Sequence, residues 1–127
     1  MLVKLAEVKW EPQFIVPSVS LKTYCGCVLL RENFEDDLLK KELQSSNISG
    51  YPVGYNNCWY IRKKGTRGWI KVGESSDRLF DFGIRLDTTE FPNGPYQVMG
   101  FMSVRVKAER NELIYSAQNI TDFEISN

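Results

Sequence analysis

The sequence predicts an all-β fold: an antiparallel β-sandwich of seven or eight strands with one short inserted helix near residues 34–44. Three observations carry that expectation. The first is a corner over Asp87-Thr88-Thr89-Glu90-Phe91-Pro92-Asn93-Gly94-Pro95-Tyr96. Pro92 presets its own φ there, Asn93 and Gly94 tolerate positive φ, and Pro95 has no N–H to give to a ladder. The second is the run from Tyr96 to Ala108, with Tyr96, Val98, Met102, Val104, Val106 and Ala108 on one face and Gln97, Ser103, Arg105 and Lys107 on the other. That is the period-two pattern of a half-buried antiparallel strand. The third is rhythm: strand-like runs recur about every ten residues with turn residues between them, as in a sandwich.

In chain order, Leu2 to Trp10 reads as a strand with a break at Ala6-Glu7, and Pro17 confines Phe14-Ile15-Val16 to an edge. Val19 to Leu30 reads as a central strand, with Leu21, Thr23, Cys25, Cys27 and Leu29 on one face and Tyr24, Val28 and Leu30 on the other. Asn33 followed by Asp36 is a helix-cap signal, and Phe34, Leu38, Leu39 and Leu43 fall at helical spacing, so a helix is expected from Phe34 to Gln44. Ser45 to Asn57, crowded with Ser, Asn, Gly and Pro, reads as the longest loop. Cys58–Lys63 and Gly68–Val72 should form a hairpin around Lys64-Gly65-Thr66. Leu79–Leu86 alternates, with Phe80, Phe82, Ile84 and Leu86 on one face. After the Tyr96 strand come a turn at Glu109-Arg110-Asn111-Glu112 and strands over Leu113–Ala117 and Ile120–Ile125.

At 127 residues the chain should make one domain over 1–127, with 33–57 as its helix-and-loop insertion. A chain of this size buries roughly two thirds of its unfolded surface, enough for a core without staples. Acidic and basic residues cancel, so no global field draws the protein to nucleic acid or a membrane surface. Charge is nevertheless segregated. Residues 58–72 carry Arg62, Lys63, Lys64, Arg67 and Lys71 and no acid, while residues 32–42 are rich in Glu and Asp; the two read as solvated faces or as patches that meet within the molecule or between copies. Charges within the first ten residues leave no apolar signal-peptide core or spanning segment, which fits a cytosolic or virion protein or a domain cut from a longer chain. Of Cys25, Cys27 and Cys58, at least one thiol has no partner within the chain; a bridge from Cys58 to Cys25 or Cys27 and free thiols are both open readings. With no His and only these thiols and carboxylates as ligands, neither a metal nor a cofactor is expected.

Trp59-Tyr60-Ile61-Arg62, Trp69-Ile70-Lys71-Val72-Gly73, Asp87-Thr88-Thr89, Pro92-Asn93-Gly94 and Tyr96 together give residues 58–127 a pattern that resembles a bacterial immunoglobulin-like or fibronectin type III-like domain. The resemblance implies an immunoglobulin-like sandwich in which Tyr96 is a corner tyrosine tied back to upstream backbone, with Pro92, Asn93 and Gly94 as the structural turn. Two residues beyond that tyrosine, where antibody-type domains hold a disulfide cysteine, stands Val98.

The best candidate binding surface is the hairpin with Trp59, Tyr60, Arg62, Lys64, Trp69 and Lys71. Flat rings beside cations suit a sugar face or a protein partner, whereas zero net charge weighs against nucleic acid. Met99 and Phe101 put apolar bulk on the outer face of the Tyr96 strand, a candidate homodimer interface. The expected function is therefore a non-catalytic binding or scaffolding module recognising carbohydrate or protein. The rival is a small cytosolic enzyme or regulator using loop 45–57 and the acids Glu74, Asp77, Asp81 and Asp87, which could also hold calcium.

Overall fold

The structure, a computed structural model, describes residues 3–9, 15–17 and 23–127. In chain order its elements are β1 (Val3–Lys9), β2 (Ile15–Pro17), β3 (Thr23–Tyr24), β4 (Cys27–Leu30), β5 (Glu32–Phe34), α1 (Asp36–Ser45), β6 (Gly50–Lys63), β7 (Ile70–Ser75), a 3₁₀ turn at Arg78–Phe80, β8 (Ile84–Asp87), a second 3₁₀ turn at Thr88–Glu90, β9 (Gly94–Ala108) and β10 (Glu112–Ile125). The expected strand ends at Leu2 and Trp10, together with Phe14 and residues 19–22, lie outside the described residues.

The protein is all-β apart from one short helix. Its main sheet runs β1-β10-β9-β6-β7, with β3 also on β10. The sheet is mixed, because β1 and β3 run parallel to β10 while β9 pairs antiparallel with β10 and β6. The register of β1 on β10 shifts between Leu5 and Val8, at the expected Ala6-Glu7 break. Two-stranded pairs β2–β5 and β4–β8 lie outside this sheet.

The inner face of the main sheet carries two apolar clusters. At one end, Leu39 and Leu43 of α1 and Phe82 cover Met102, Val104, Val106, Leu113, Tyr115 and Ala117. At the other, Leu30 and Leu86 of the β4–β8 pair cover Tyr24, Trp59, Ile61, Tyr96, Val98, Phe123 and Ile125. The second layer is thus part helix and part ribbon. The corner after β8 carries the chain from the ribbon into β9 of the main sheet. Tyr96 points inward there, and its hydroxyl donates to the Pro92 carbonyl at 2.7 Å. Asn127 fastens the same corner, its amide donating to Thr88 O (2.9 Å) and its carbonyl oxygen accepting from Thr88 Oγ1 (2.9 Å).

Several expectations are corrected. Residues 50–57 of the expected loop are strand, paired with β9 from Gly50↔Ala108 to Asn57↔Met102, and a shift between Pro52 and Gly54 absorbs Val53. A Cβ on Gly50 would meet the Lys107 carbonyl at 2.9 Å, so glycine suits this close approach rather than marking a loop. The two expected terminal strands are one, because β10 pairs with β9 without a break from Glu112 to Ile125. The expected strand from Val19 to Leu30 is split at Gly26, and it is covered on one side only: Cys25, Cys27 and Leu29 are exposed, Tyr24 and Leu30 buried. Of Leu79–Leu86, only the part from Ile84 is strand. The helix begins two residues late, with Glu35 at its cap position and no capping side chain; the Asn33 amide donates instead to Glu35 Oε1 (2.9 Å).

Tyr96→Phe removes one hydroxyl and no packing. It is expected to cost about 1 kcal/mol, read as a lower urea midpoint at unchanged slope; an unchanged midpoint would show that the corner holds without this bond.

Candidate functional site

The aromatic-basic hairpin forms, with Cys58↔Glu74 and Tyr60↔Lys71 opposite each other. Its six candidates do not share one surface. Trp59 is 2% exposed and belongs to the core, its Nε1–H donating to the Phe82 carbonyl at 2.8 Å, so its ring is closed to a ligand. Strand alternation puts Tyr60 on the other face, half-buried. Arg62 lies over the Trp69 ring, 4.1 Å from its centroid, and donates to Gln97 Oε1 (2.9 Å). Gln97 donates in turn to Asp122, which also pairs with Lys64. Lys71 pairs with Glu74 at 2.8 Å, which lowers the Glu74 carboxyl and raises the Lys71 amine. Much of the hairpin's charge is therefore compensated inside the molecule.

Met99 is 8% exposed, which corrects the expected outer apolar stripe; Phe101 beside it is half-buried. Cys25, Cys27 and Cys58 are all free thiols, with Cys58 on β6 and the other two around Gly26, which overturns either bridge. Of Glu74, Asp77, Asp81 and Asp87, the acids of the rival reading, none belongs to a metal cluster: among the described residues no group of three or more His, Cys, Asp or Glu side chains could hold a metal ion. Asp77 and Asp87 instead accept from the backbone N–H of Leu79 and Thr89, at 3.0 Å each, as caps of the two 3₁₀ turns. The hydroxyl of Thr89, together with that backbone bond, holds the Asp87 carboxyl below its usual range.

The feature the sequence did not reveal lies between β7 and β8. Leu79 is 92% and Phe80 71% exposed. They stand on the segment 76–83, which is pinned on every side. Phe82 N–H donates to Asp77 O (2.9 Å), Glu32 N–H donates to Asp81 O (2.9 Å), and Trp59 holds the Phe82 carbonyl. The Arg78 guanidinium pairs with Asp36 of α1, donates to the Tyr55 hydroxyl (3.2 Å) and lies over the Phe34 and Tyr55 rings. Asp81 and Phe82 both take positive φ, 51° and 55°. Each such residue costs about 1 kcal/mol or more, and the cost is borne because Phe82 drops into the core. The same twist throws Phe80 outward, correcting its expected place on the buried face. Beside this tip an open groove of about 600 Å³ is lined by Leu29, Ile84, Arg31, Arg85, Asp77 and Asp81, among others. A sequence signal existed: Ser75-Ser76-Asp77 is a turn-and-cap run, and it interrupts the strand pattern just before Leu79.

A second missed feature is Glu32, expected on a solvated acidic face and found 0% exposed. Its carboxylate lies on Gly100, where a Cβ would meet Oε1 at 2.1 Å, so β5 can seat only over a glycine. Among the described residues, neither oxygen has a hydrogen-bond partner of regular geometry, and the buried Asn57 amide has none there either. Burial pushes the Glu32 carboxyl up to about 8, the Asn119 side chain beside it pulling the other way. In register, Trp59, Gly100 and Asn119 form one row across the inner face, and Asn57, Met102 and Ala117 the next. The acid therefore sits at a polar seam where the two apolar clusters meet.

Compared with known proteins, the chain matches no family model, no curated protein and no solved structure.

Because Glu32 holds its proton more tightly folded than unfolded, stability at this site is greatest below about pH 4.5 and falls as pH rises toward about 8, by up to about 1.4 kcal/mol per unit. Glu32→Gln should therefore melt at higher temperature than the parent at pH 8, with the gap closing toward pH 4.5. A gap that does not change with pH would mean that Glu32 is ionised in the fold.

Proposed function

We propose that this protein is a non-catalytic binding module that recognises a protein partner through the Leu79–Phe80 tip and the groove beside it. One observation carries the reading: two large apolar side chains, 92% and 71% exposed, stand on a backbone pinned by the Asp36 side chain of α1, the Glu32 backbone N–H of β5 and the Trp59 indole of β6. Exposed apolar bulk is ordinary on a floppy surface but costly on a rigid one, where it cannot fold back under its neighbours. A pre-ordered recognition surface loses little entropy on association, which is where rigid presentation gains affinity. The groove beside the tip is lined by apolar and charged residues together, Leu29 among the first and Arg85, Asp77 and Asp81 among the second, a mixed composition that suits a small protein-docking site.

In the same reading the fold is an immunoglobulin-like sandwich in which α1 has replaced part of one sheet. The supports are the corner joining the two layers and the inward Tyr96 with its bond to Pro92. Membrane crossing by helix has no support, since among the described residues no helix is long and apolar enough. Carbohydrate recognition by the hairpin is weakened by the burial of Trp59 and by Arg62 covering one face of Trp69.

A displayed peptide library panned against the protein should yield peptides rich in large apolar residues, with enrichment lost in Leu79→Asp/Phe80→Asp. That variant should fold as well as the parent, because neither side chain is in the core. Enrichment unchanged by the variant would remove the reading; glycan binding lost only in Trp69→Ala would return recognition to the hairpin.

A further inference from the structure

We infer that Cys25-Gly26-Cys27 is a reversible redox site, a dithiol that closes to an intrachain disulfide by exchange with a disulfide-bearing substrate. The inference is independent of the tip, since it needs no partner bound to Leu79 and Phe80. Both thiols are exposed and free, and a single residue separates them. Cys25 follows β3 and Cys27 opens β4, so they flank the bend by which the chain leaves the main sheet for the β4–β8 ribbon. The third thiol, Cys58, stands on β6 beside Glu74 and the Asn56 amide.

The backbone between the two cysteines is what makes closure available. Consecutive Cα atoms lie about 3.8 Å apart, so full extension would hold the Cys25 and Cys27 Cα atoms about 7 Å from each other. A disulfide needs roughly 4.4–6.8 Å. The chain bends at Gly26, with φ at +70°, and a bend draws the flanking residues inside that reach. Glycine takes this conformation without the cost that a Cβ would bring. The bend is also fixed from outside. The Gly26 carbonyl accepts from Thr88 N–H (2.9 Å) and Thr88 Oγ1 (2.7 Å), and the Gly26 N–H donates to Asn127 Oδ1 (3.3 Å). With the turn already held, closing a ring across one residue loses little further chain entropy.

Exchange proceeds in two balanced steps. The thiolate of one cysteine attacks a sulfur of the substrate disulfide; that S–S bond breaks, a mixed disulfide forms, and one substrate thiol leaves with a proton. The other cysteine, as its thiolate, attacks the protein sulfur of the mixed disulfide; the Cys25–Cys27 bond forms and the second substrate thiol leaves with the second proton. The cysteines give up two electrons and the substrate disulfide takes them. A bridge that is exposed and spans so little chain belongs to the labile class that exchanges in both directions, not to the structural one.

The parental full chain is equilibrated in mixtures of reduced and oxidised glutathione, quenched in acid, alkylated with N-ethylmaleimide and cut with trypsin. Cleavage after Lys22 and Arg31 keeps both cysteines on one peptide, residues 23–31, with Cys58 on another. In an equal mixture most of that peptide should be unalkylated and two hydrogens lighter, and excess reduced glutathione should return it to the doubly alkylated form. Cys25→Ser and Cys27→Ser should each retain a bound glutathione instead, at least about tenfold more than the parent, because the resolving thiol is gone. A parental peptide that holds glutathione without closing overturns the inference, as does a bridge formed only between two chains. A peptide still doubly alkylated after oxidised glutathione alone overturns it as well.

Discussion

Strand β9 lies between β6 and β10 and is hydrogen-bonded to both along almost its whole length. Its inward residues, Tyr96, Val98, Gly100, Met102, Val104 and Val106, contribute to both apolar clusters and to the seam between them. An antiparallel strand of such length offers every neighbour a ladder of backbone partners, and local preference is worth less than about 1 kcal/mol per residue against it. That is why Gly50-Tyr51-Pro52-Val53-Gly54 is extended despite its composition, and why Gln118 and Asn119 do not interrupt β10.

What lies on this platform is divided by function. The α1 end is a conventional apolar seat, held further by Asp36 on Arg78. The ribbon end is closed by Tyr96 and by Asn127, whose bonds to Thr88 and Asn93 tie the last strand to the corner. Between them the layer is joined by polar contacts. Glu32 donates its backbone N–H to Asp81 while its carboxylate presses on Gly100, so the residue beneath the polar seam also anchors the segment that presents Leu79 and Phe80. The exposed tip and the buried acid are thus joined through one backbone hydrogen bond.

The hairpin illustrates how side chains that look available in a sequence are spent in the fold. Arg62, Lys64 and Lys71 each find a partner from β9, β10 or β7, and the Trp59 indole is committed to the Phe82 carbonyl. None of those partners lies within ten residues in sequence except Glu74 for Lys71. The tip is the converse case. Leu79 and Phe80 looked like halves of an alternating strand, and only the positive φ values at Asp81 and Phe82 turned them out.

Period-two alternation and turn chemistry by themselves determined the all-β class, the Tyr96 strand with its inner face, the hairpin, and the corner at 87–96, because those signals depend on neighbours one or two residues apart. The helix was legible to within two residues because its apolar spacing of three to four residues is local too. The tertiary structure alone decided the strand identity of residues 50–57, the burial of Glu32, which face of residues 23–30 is covered and the exposure of Leu79 and Phe80. Each of these is set by a partner far along the chain: β9 for the strand, Gly100 for the acid, the main sheet for β3 and β4, and the Trp59 and Arg78 anchors for the tip. No local pattern encodes such a partner.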